Sequence, residues 1–350
     1  MSDVPLSSLT TLGVGGPARW FLEVASVEQL KDALRWSVTR ELPFFILGGG
    51  SNLLVVDSGF DGLVVKIALR GIDVREDGES VLVRAAAGER WDDLVLFAVE
   101  RDLAGVECLS GIPGLVGATP IQNVGAYGQE VSETIEEVEV LEIASGEISR
   151  LSNADCRFGY RQSIFKREAK GRFVVLGVTY RLTRGGAPAL RYPDLQRMVE
   201  HGGNREPSLA DVRESVIAIR RKKGMVLDPG DLDTRSAGSF FMNPVVSQDA
   251  YEEVVARARD AGIPREEKVP SYPQGNEVKL SAAWLIEKAG FHRGYGAGRA
   301  ALSTKHTLAV TNRGNATAEE VLGLVREIQD GVEGKFGLRL DPEPEIVGER

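Results

Sequence analysis

The chain has 350 residues, 43% hydrophobic and 27% charged, with a formal net charge of -9 at neutral pH. This composition excludes a disordered or fibrous chain and gives room for two or three compact units. The negative balance excludes broad attraction to nucleic acid or to an anionic membrane, so neither is expected as a partner and any phosphate site must be local.

In chain order, the opening MSDVPLSSLT lacks the basic and apolar stretches of an export signal. No apolar run approaches the ~18 residues of a membrane span, and a cytoplasmic location is expected. Gly13-Val14-Gly15-Gly16 precede ARWFLEVA, a run of strand character, so they are not a dinucleotide fingerprint, which opens a helix. Ser26, with Gln29 three residues on, is a capping-box start for a helix over 27–40. PFFIL, LLVVD, LVVKIAL and VLVRAAA come next as strands between Gly, Asp and Ser turns, and residues 91–101 read as a second helix. Residues 105–128 are dense in Gly, Pro and small side chains and nearly free of charge, which implies a buried loop with accessible backbone amides. EEVEVLEIA and RFVVLGVTYRL are strands on either side of the polar-aromatic FGYRQSIFK. Ser208, Ser247, Ser281 and Thr317 each precede a helical pattern, Thr317 and Glu320 forming another capping box, and the two prolines of GLRLDPEPEIVGER forbid helix in the tail.

Two glycine regions carry the chemistry. Gly48-Gly49-Gly50-Ser51-Asn52, with Leu53 after it, lies between two strands and fits neither a Walker loop nor GxGxxG. It is either a bare tight turn or an anion nest that lets backbone approach a pyrophosphate. The second region runs from Ser110 through Ile112, Pro113, Gly114, Gly117 and Ala118 to Pro120, Gln122, Asn123, Gly125, Ala126, Tyr127 and Gly128. It is either a structural crossover or a flavin or nucleotide site, with amides at Gln122 and Asn123 and a stacking face at Tyr127. Cys108 and Cys156 are too few for a disulfide framework and stand in no metal spacing, so structural thiols and no metal are expected.

GGGSN, SGIPGLVGATPIQNVGAYG, FGYRQSIFK, SAGSFFMNP and LDPEPEIVG together resemble, in order and spacing and over nearly the whole chain, the UDP-N-acetylenolpyruvoylglucosamine reductase (MurB) family, type I. The resemblance implies an α+β protein. Its FAD-binding domain would be of the vanillyl-alcohol oxidase (PCMH) type, built of two α/β subdomains over 1–70 and 71–205. A C-terminal α+β substrate-binding domain would span 206–337, with a final strand over 338–350 returning to the active site. FAD would sit between the two glycine regions, without a covalent link because neither holds a His or Cys. NADPH would dock beside it, share the substrate cleft and leave before the UDP-sugar enters. The protein is expected to work as a monomer. The runner-up is another FAD-dependent oxidase or dehydrogenase of the same superfamily.

Reducing an enolpyruvyl ether asks for a cation on the carboxylate, a hydrogen-bonding group for the developing enolate and a proton donor for the adjacent carbon. The matching family positions are Arg161, Glu343 and Ser239 respectively. Glu343 is preferred to Glu345 because Gly348 lies beyond it at the family's Glu-to-Gly spacing. Tyr160, Tyr192, Lys223, Asn243, Tyr272 and Lys279 match substrate positions, Tyr192 being the mobile tyrosine of the type I subgroup, and His306 matches a substrate or nicotinamide position. Lys222 competes with Lys223 by one residue of register, and the run Arg220–Lys223 also reads as cations closing a helix.

Overall fold

The computed structural model describes residues 1–201 and 206–348. Its chain divides into two compact units. One is Met1–Val4, Ala18–Gly50 and Asp61–Val226, and the other is Pro5–Pro17, Ser51–Phe60 and Leu227–Arg350.

In the first unit, α1 (Val27–Thr39) buries Leu30, Ala33, Leu34 and Ser37, a stripe at helical spacing. Ser26 caps it by accepting from Gln29 N at 3.2 Å, while the Gln29 side chain accepts from Ala25 N at 2.8 Å, one residue earlier than a standard box. The strands Ser2–Pro5, Pro17–Val24, Phe60–Ile67 and Phe44–Leu47 form one sheet in that order, the last two parallel. A larger antiparallel sheet runs Ile148–Ser152, Ile135–Glu142, Phe173–Arg184, Ser80–Ala86 and Ile72–Asp77, with Leu103–Ala104 also on Phe173–Arg184. Seven consecutive residues, Val174 to Tyr180, are buried, so both faces of that central strand are covered. Ile72–Asp77, IDVRED, is an exposed edge strand; its alternation stops after Ile72 and Val74, so it leaves little signal in the sequence.

The helix α2 (Trp91–Val99) puts Trp91, Leu94, Val95 and Ala98 into this core. Helices α3 (Pro193–His201) and α4 (Leu209–Lys222) pack together, Leu195 and Val199 meeting Val212, Val216, Ile219 and Cys108. The sequence pattern opens a new domain at 206, but this apolar stripe closes within the first unit. A change in composition along the chain does not say which surface a helix covers. α3 is a further addition to the elements expected from sequence, its Pro193 sitting at the first helical position, where a missing N–H costs nothing.

The second unit holds α5 (Gln248–Asp260), α6 (Ala282–Lys288) and α7 (Ala318–Phe336), each started by a serine or threonine whose side chain accepts an amide three residues on. All four expected caps are present, Ser208 on α4 included. The core joins Val321, Leu324, Ile328 and Val332 of α7 to Leu285, Phe240 and Leu340, and to Leu12, Val14 and Leu54 from the early segments. Its strands form three small sheets: Val245–Val246 with Glu277–Leu280 and Ser271–Gln274, Ala300–Leu302 with Val310–Asn312, and Glu345–Val347 parallel to Leu53–Val55. The tail is therefore extended, as its prolines require.

Near that last pair, three backbone segments come closer than any side chain allows. A Cβ on Gly348 would lie 2.3 Å from Gly59 O, one on Gly59 2.0 Å from Pro17 O, and one on Gly16 2.1 Å from Asp57 O. No helix among the described residues is long and apolar enough to cross a membrane.

Candidate active site

In the first unit the two glycine regions meet. A Cβ on Gly49 would stand 2.7 Å from Gly114 Cα, and one on Gly48 3.8 Å from Ala118 Cβ. The second region is fixed from beneath by α2 and the residues before it. Trp91 N donates to Gly114 O at 3.1 Å, Val116 N to Glu89 O at 2.9 Å and Gly117 N to Ala87 O at 2.9 Å. The Trp91 indole N–H donates to Leu109 O at 3.0 Å, and its ring packs on Tyr180, whose hydroxyl bonds Thr119 at 2.7 Å. Asp92 accepts Gly111 N at 2.6 Å and both amino groups of Arg213, at 2.7 and 2.9 Å. Burial works to raise the Asp92 carboxyl, but the bonds from Arg213 and Gly111 outweigh it and hold the group below the ordinary carboxylate range. Sequence carries no sign of this clamp, because its partners lie far apart in the chain.

Among the described residues the amides of Gly49 and Gly50 have no protein partner. A lined backbone concavity with open amides suits a phosphate or a flavin edge, so these residues fit an FAD. Not every expected contact keeps a free side chain. Asn123 is 1% exposed, and its amide is committed to Glu130 at 2.8 Å, Gly159 O at 3.1 Å and Ser132 N at 3.1 Å. The Ser110 hydroxyl is buried and donates to Glu107 O at 2.6 Å. At these two positions the side-chain donors are already used within the protein.

Arg161 sits at the tip of a hairpin closed by Gly159 and Gln162. Its guanidinium lies 5.3 Å from the Tyr160 ring and donates to Gly125 O at 2.7 Å and Asn123 O at 3.4 Å, which ties it to the second glycine region. Arg161 has φ +54°, Asn123 +47° and Tyr127 +51°, all in the left-handed region that favours glycine. Such strain, about 1–3 kcal/mol per residue, gathers at working sites.

Tyr127 also meets the expected substrate residues of this unit. Tyr192 packs edge-on against it at 5.5 Å, and the Lys223 ammonium is 5.9 Å from its ring centroid. Lys223 caps α4 and is half-buried, whereas Lys222 is exposed, so Lys223 is the lysine placed beside this aromatic pair. Arg220, in sequence only one cation of a run, is half-buried here, with its Nε shielded from solvent. Burial pushes its guanidinium below its ordinary value against the pull of Tyr127 and Asp92, yet arginine stays charged at neutral pH.

In the second unit the segments that carry Ser239 and Glu343 pair. Phe241 pairs with Pro342, Glu343 N donates to Phe240 O at 2.8 Å and Met242 N to Asp341 O at 3.0 Å. Asn52, from the first glycine region, grips both sides of the carboxylate residue: its side chain donates to Glu343 O at 3.2 Å and its carbonyl accepts Glu345 N at 3.0 Å. Leu53 continues as the strand opposite Glu345. Tyr272 and Lys279 are directly opposed on neighbouring strands. Asn243 accepts Ala282 N at 3.0 Å, so its carbonyl oxygen is engaged at the start of α6. His306 lies in a turn held by Ser303, whose hydroxyl accepts His306 N at 3.3 Å. Both cysteines are buried, and burial pushes each thiol up to about 12, which makes them inert packing groups.

Residues 18–152 match the family described as "FAD binding domain", and residues 228–347 match "UDP-N-acetylenolpyruvoylglucosamine reductase, C-terminal domain". The chain is 49% identical to the UDP-N-acetylenolpyruvoylglucosamine reductase of Thermobifida fusca, over 99% of its own length and 97% of that protein's. It is 50% identical to that of Streptomyces coelicolor, over 99% and 90%. The crystal structure of the reductase from Thermus caldophilus is similar with a TM-score of 0.67 at 27% identity, covering 99% of this chain and 98% of that one. An α+β chain with an FAD-binding domain and this C-terminal domain, so alike from end to end, belongs to the UDP-N-acetylenolpyruvoylglucosamine reductase family of oxidoreductases.

Proposed function

We propose that the protein uses NADPH to reduce the enolpyruvyl ether of UDP-N-acetyl-3-O-(1-carboxyvinyl)glucosamine, giving UDP-N-acetylmuramate for peptidoglycan synthesis in the cytoplasm. The observation that carries this reading is the pairing of the Ser239 and Glu343 segments, a feature a plain FAD oxidase does not need. The two glycine regions would hold FAD without a covalent link, and FAD would supply hydride transfer between NADPH and the terminal carbon of the enolpyruvyl group. Arg161 holds the carboxylate through its planar fork, a geometry lysine lacks. Glu343 assists the charge that develops as the hydride arrives, and Ser239 gives a proton to the adjacent carbon. A serine hydroxyl is a weak acid, so it serves only a very basic carbon and only when well aligned. Tyr192, Lys223, Asn243, Tyr272, Lys279 and His306 are assigned to the UDP-sugar, Lys223 answering its diphosphate. The protein works as a monomer, with NADPH and the UDP-sugar competing for one site.

Purified protein is expected to be yellow and to consume NADPH only when the enolpyruvyl UDP-sugar is present. A colourless preparation that stays inert after FAD is added back would sink the reading. Arg161→Lys keeps the charge but loses the fork, and is expected to lower kcat/KM for the UDP-sugar by roughly ten- to a hundredfold. Steady-state kinetics at saturating NADPH read this directly, and an unchanged kcat/KM would remove Arg161 from the carboxylate.

A further inference from the structure

Ser239 is half-buried, comes directly after Gly238 at φ +77°, and its hydroxyl has no hydrogen-bond partner among the described residues. Nothing at the side chain fixes it, so its position is set by the backbone around it. That backbone is laced to one neighbouring segment at three points: Phe240 N donates to Leu308 O at 2.7 Å, Asn312 N donates to Arg235 O at 2.9 Å, and Ser236 pairs with Thr311. Leu308 itself stands after a turn, Ser303 to Thr307, tied to the residues that lead into the serine segment. Thr304 N donates to Asp233 Oδ1 at 2.9 Å and the Thr304 hydroxyl donates to Asp233 Oδ2, while Lys305 pairs with Asp231. The anchor is itself stiff. Asp231 accepts Asp233 N at 3.0 Å, and the Thr234 hydroxyl donates to the carbonyls of Asp228 and Asp231, both at 2.8 Å. Burial pulls the Asp233 carboxyl up, but the two Thr304 bonds, with Ser303 and the Lys305 charge, together outweigh it and keep the group below the ordinary carboxylate range, so it is ionised at neutral pH.

We propose that Asp233 is a positioning residue for proton delivery: by clamping the Ser303–Thr307 turn it fixes Leu308 O, and through the Phe240 amide it fixes the Ser239 hydroxyl beside it. This rests on the assignment of Ser239 as proton donor. The clamp touches no substrate atom, and it acts through geometry rather than charge. An asparagine in its place can still accept the Thr304 amide with Oδ1 and donate to the Thr304 hydroxyl with Nδ2, whereas an alanine can do neither.

The test tracks flavin colour in the two half-reactions of the purified holoenzyme. Asp233→Ala is expected to slow reoxidation by the enolpyruvyl UDP-sugar by roughly tenfold or more, since a small misplacement of a catalytic group is costly in rate. Reduction by NADPH stays as in the parent protein, the fall in reoxidation persists at saturating UDP-sugar, and Asp233→Asn returns reoxidation to within about threefold of the parent. Equal loss in both half-reactions, a loss carried by KM alone, or an Asp233→Asn protein as slow as Asp233→Ala would overturn the proposal. Should Asp233→Ala not fold, Thr304→Val removes the hydroxyl arm of the clamp and is held to the same split between half-reactions. Ser239→Ala is run beside them. If it leaves reoxidation untouched, the assignment of Ser239 falls; if it slows reoxidation and Asp233→Ala does not, only the positioning role falls.

Discussion

Ser239→Ala is expected to slow flavin reoxidation by the enolpyruvyl UDP-sugar by about 10²–10⁴-fold, the range for a lost general acid. Reduction by NADPH is expected to stay nearly intact, because the proton is needed only after the hydride has reached the sugar. The structure makes the comparison clean. The hydroxyl takes part in no hydrogen bond among the described residues, so its removal leaves no buried group without a partner. The stability change is expected to stay within about 0.5 kcal/mol. Rapid-mixing absorbance of the flavin band measures each half separately, and loss of equal size in both would reject the serine as proton donor.

Gly49→Ala comes next in size, and its readout is binding. Gly49 has an ordinary backbone conformation, so alanine is not excluded by φ; the difficulty is space. The new methyl would lie 2.7 Å from Gly114 Cα, 3.1 Å from Gly114 C and 3.3 Å from Leu115 N. These are backbone atoms, and Gly114 is further held through its carbonyl by Trp91 N, so no side chain can swing aside. The two glycine regions must part. Overpacking of this kind costs about 1–3 kcal/mol in the fold, and the widened cradle is expected to weaken FAD by roughly a hundredfold, about 2.7 kcal/mol. Gly298→Ala, a position with open space around it, serves as the control. Titration of apoprotein with FAD decides the matter: parent-like affinity in the Gly49→Ala protein would mean that the first glycine region does not hold the cofactor.

Much of the fold is legible in the sequence because local rules and tertiary structure agree. The capping serines and Thr317 mark α4 to α7 correctly, and strand–GGGSN–strand has the order the sequence implies. The features that escape depend on contacts between distant residues. Whether α4 packs with the segment before it or the one after it cannot be read from its own stripe, since Val212 and Val216 are equally apolar against any partner. In the site, the resemblance gives Arg161, Ser239 and Glu343 their expected roles but not their contacts, which the structure supplies within each unit: Arg161 on Gly125 O, and the Ser239 segment beside the Glu343 segment. Sequence cannot show that the Asn123 amide is already committed, because residue type reveals donors and acceptors but not who uses them. The Asp92–Arg213 and Asp233–Thr304 clamps are invisible for a related reason: acids and their partners are common in any sequence, and only folding selects these pairs.

The second unit is drawn from three separated stretches, and its core needs Leu12, Val14 and Leu54 together with Leu340. During synthesis the first unit has all its residues once Val226 has left the ribosome. The second has its early strand Leu53–Val55 waiting without the mate that Glu345–Val347 supplies. Those two early stretches must therefore stay uncommitted for most of translation, an interval in which an unpaired apolar strand invites chaperones or aggregation. Vectorial synthesis thus leaves the segment of Glu343 among the last to reach its place.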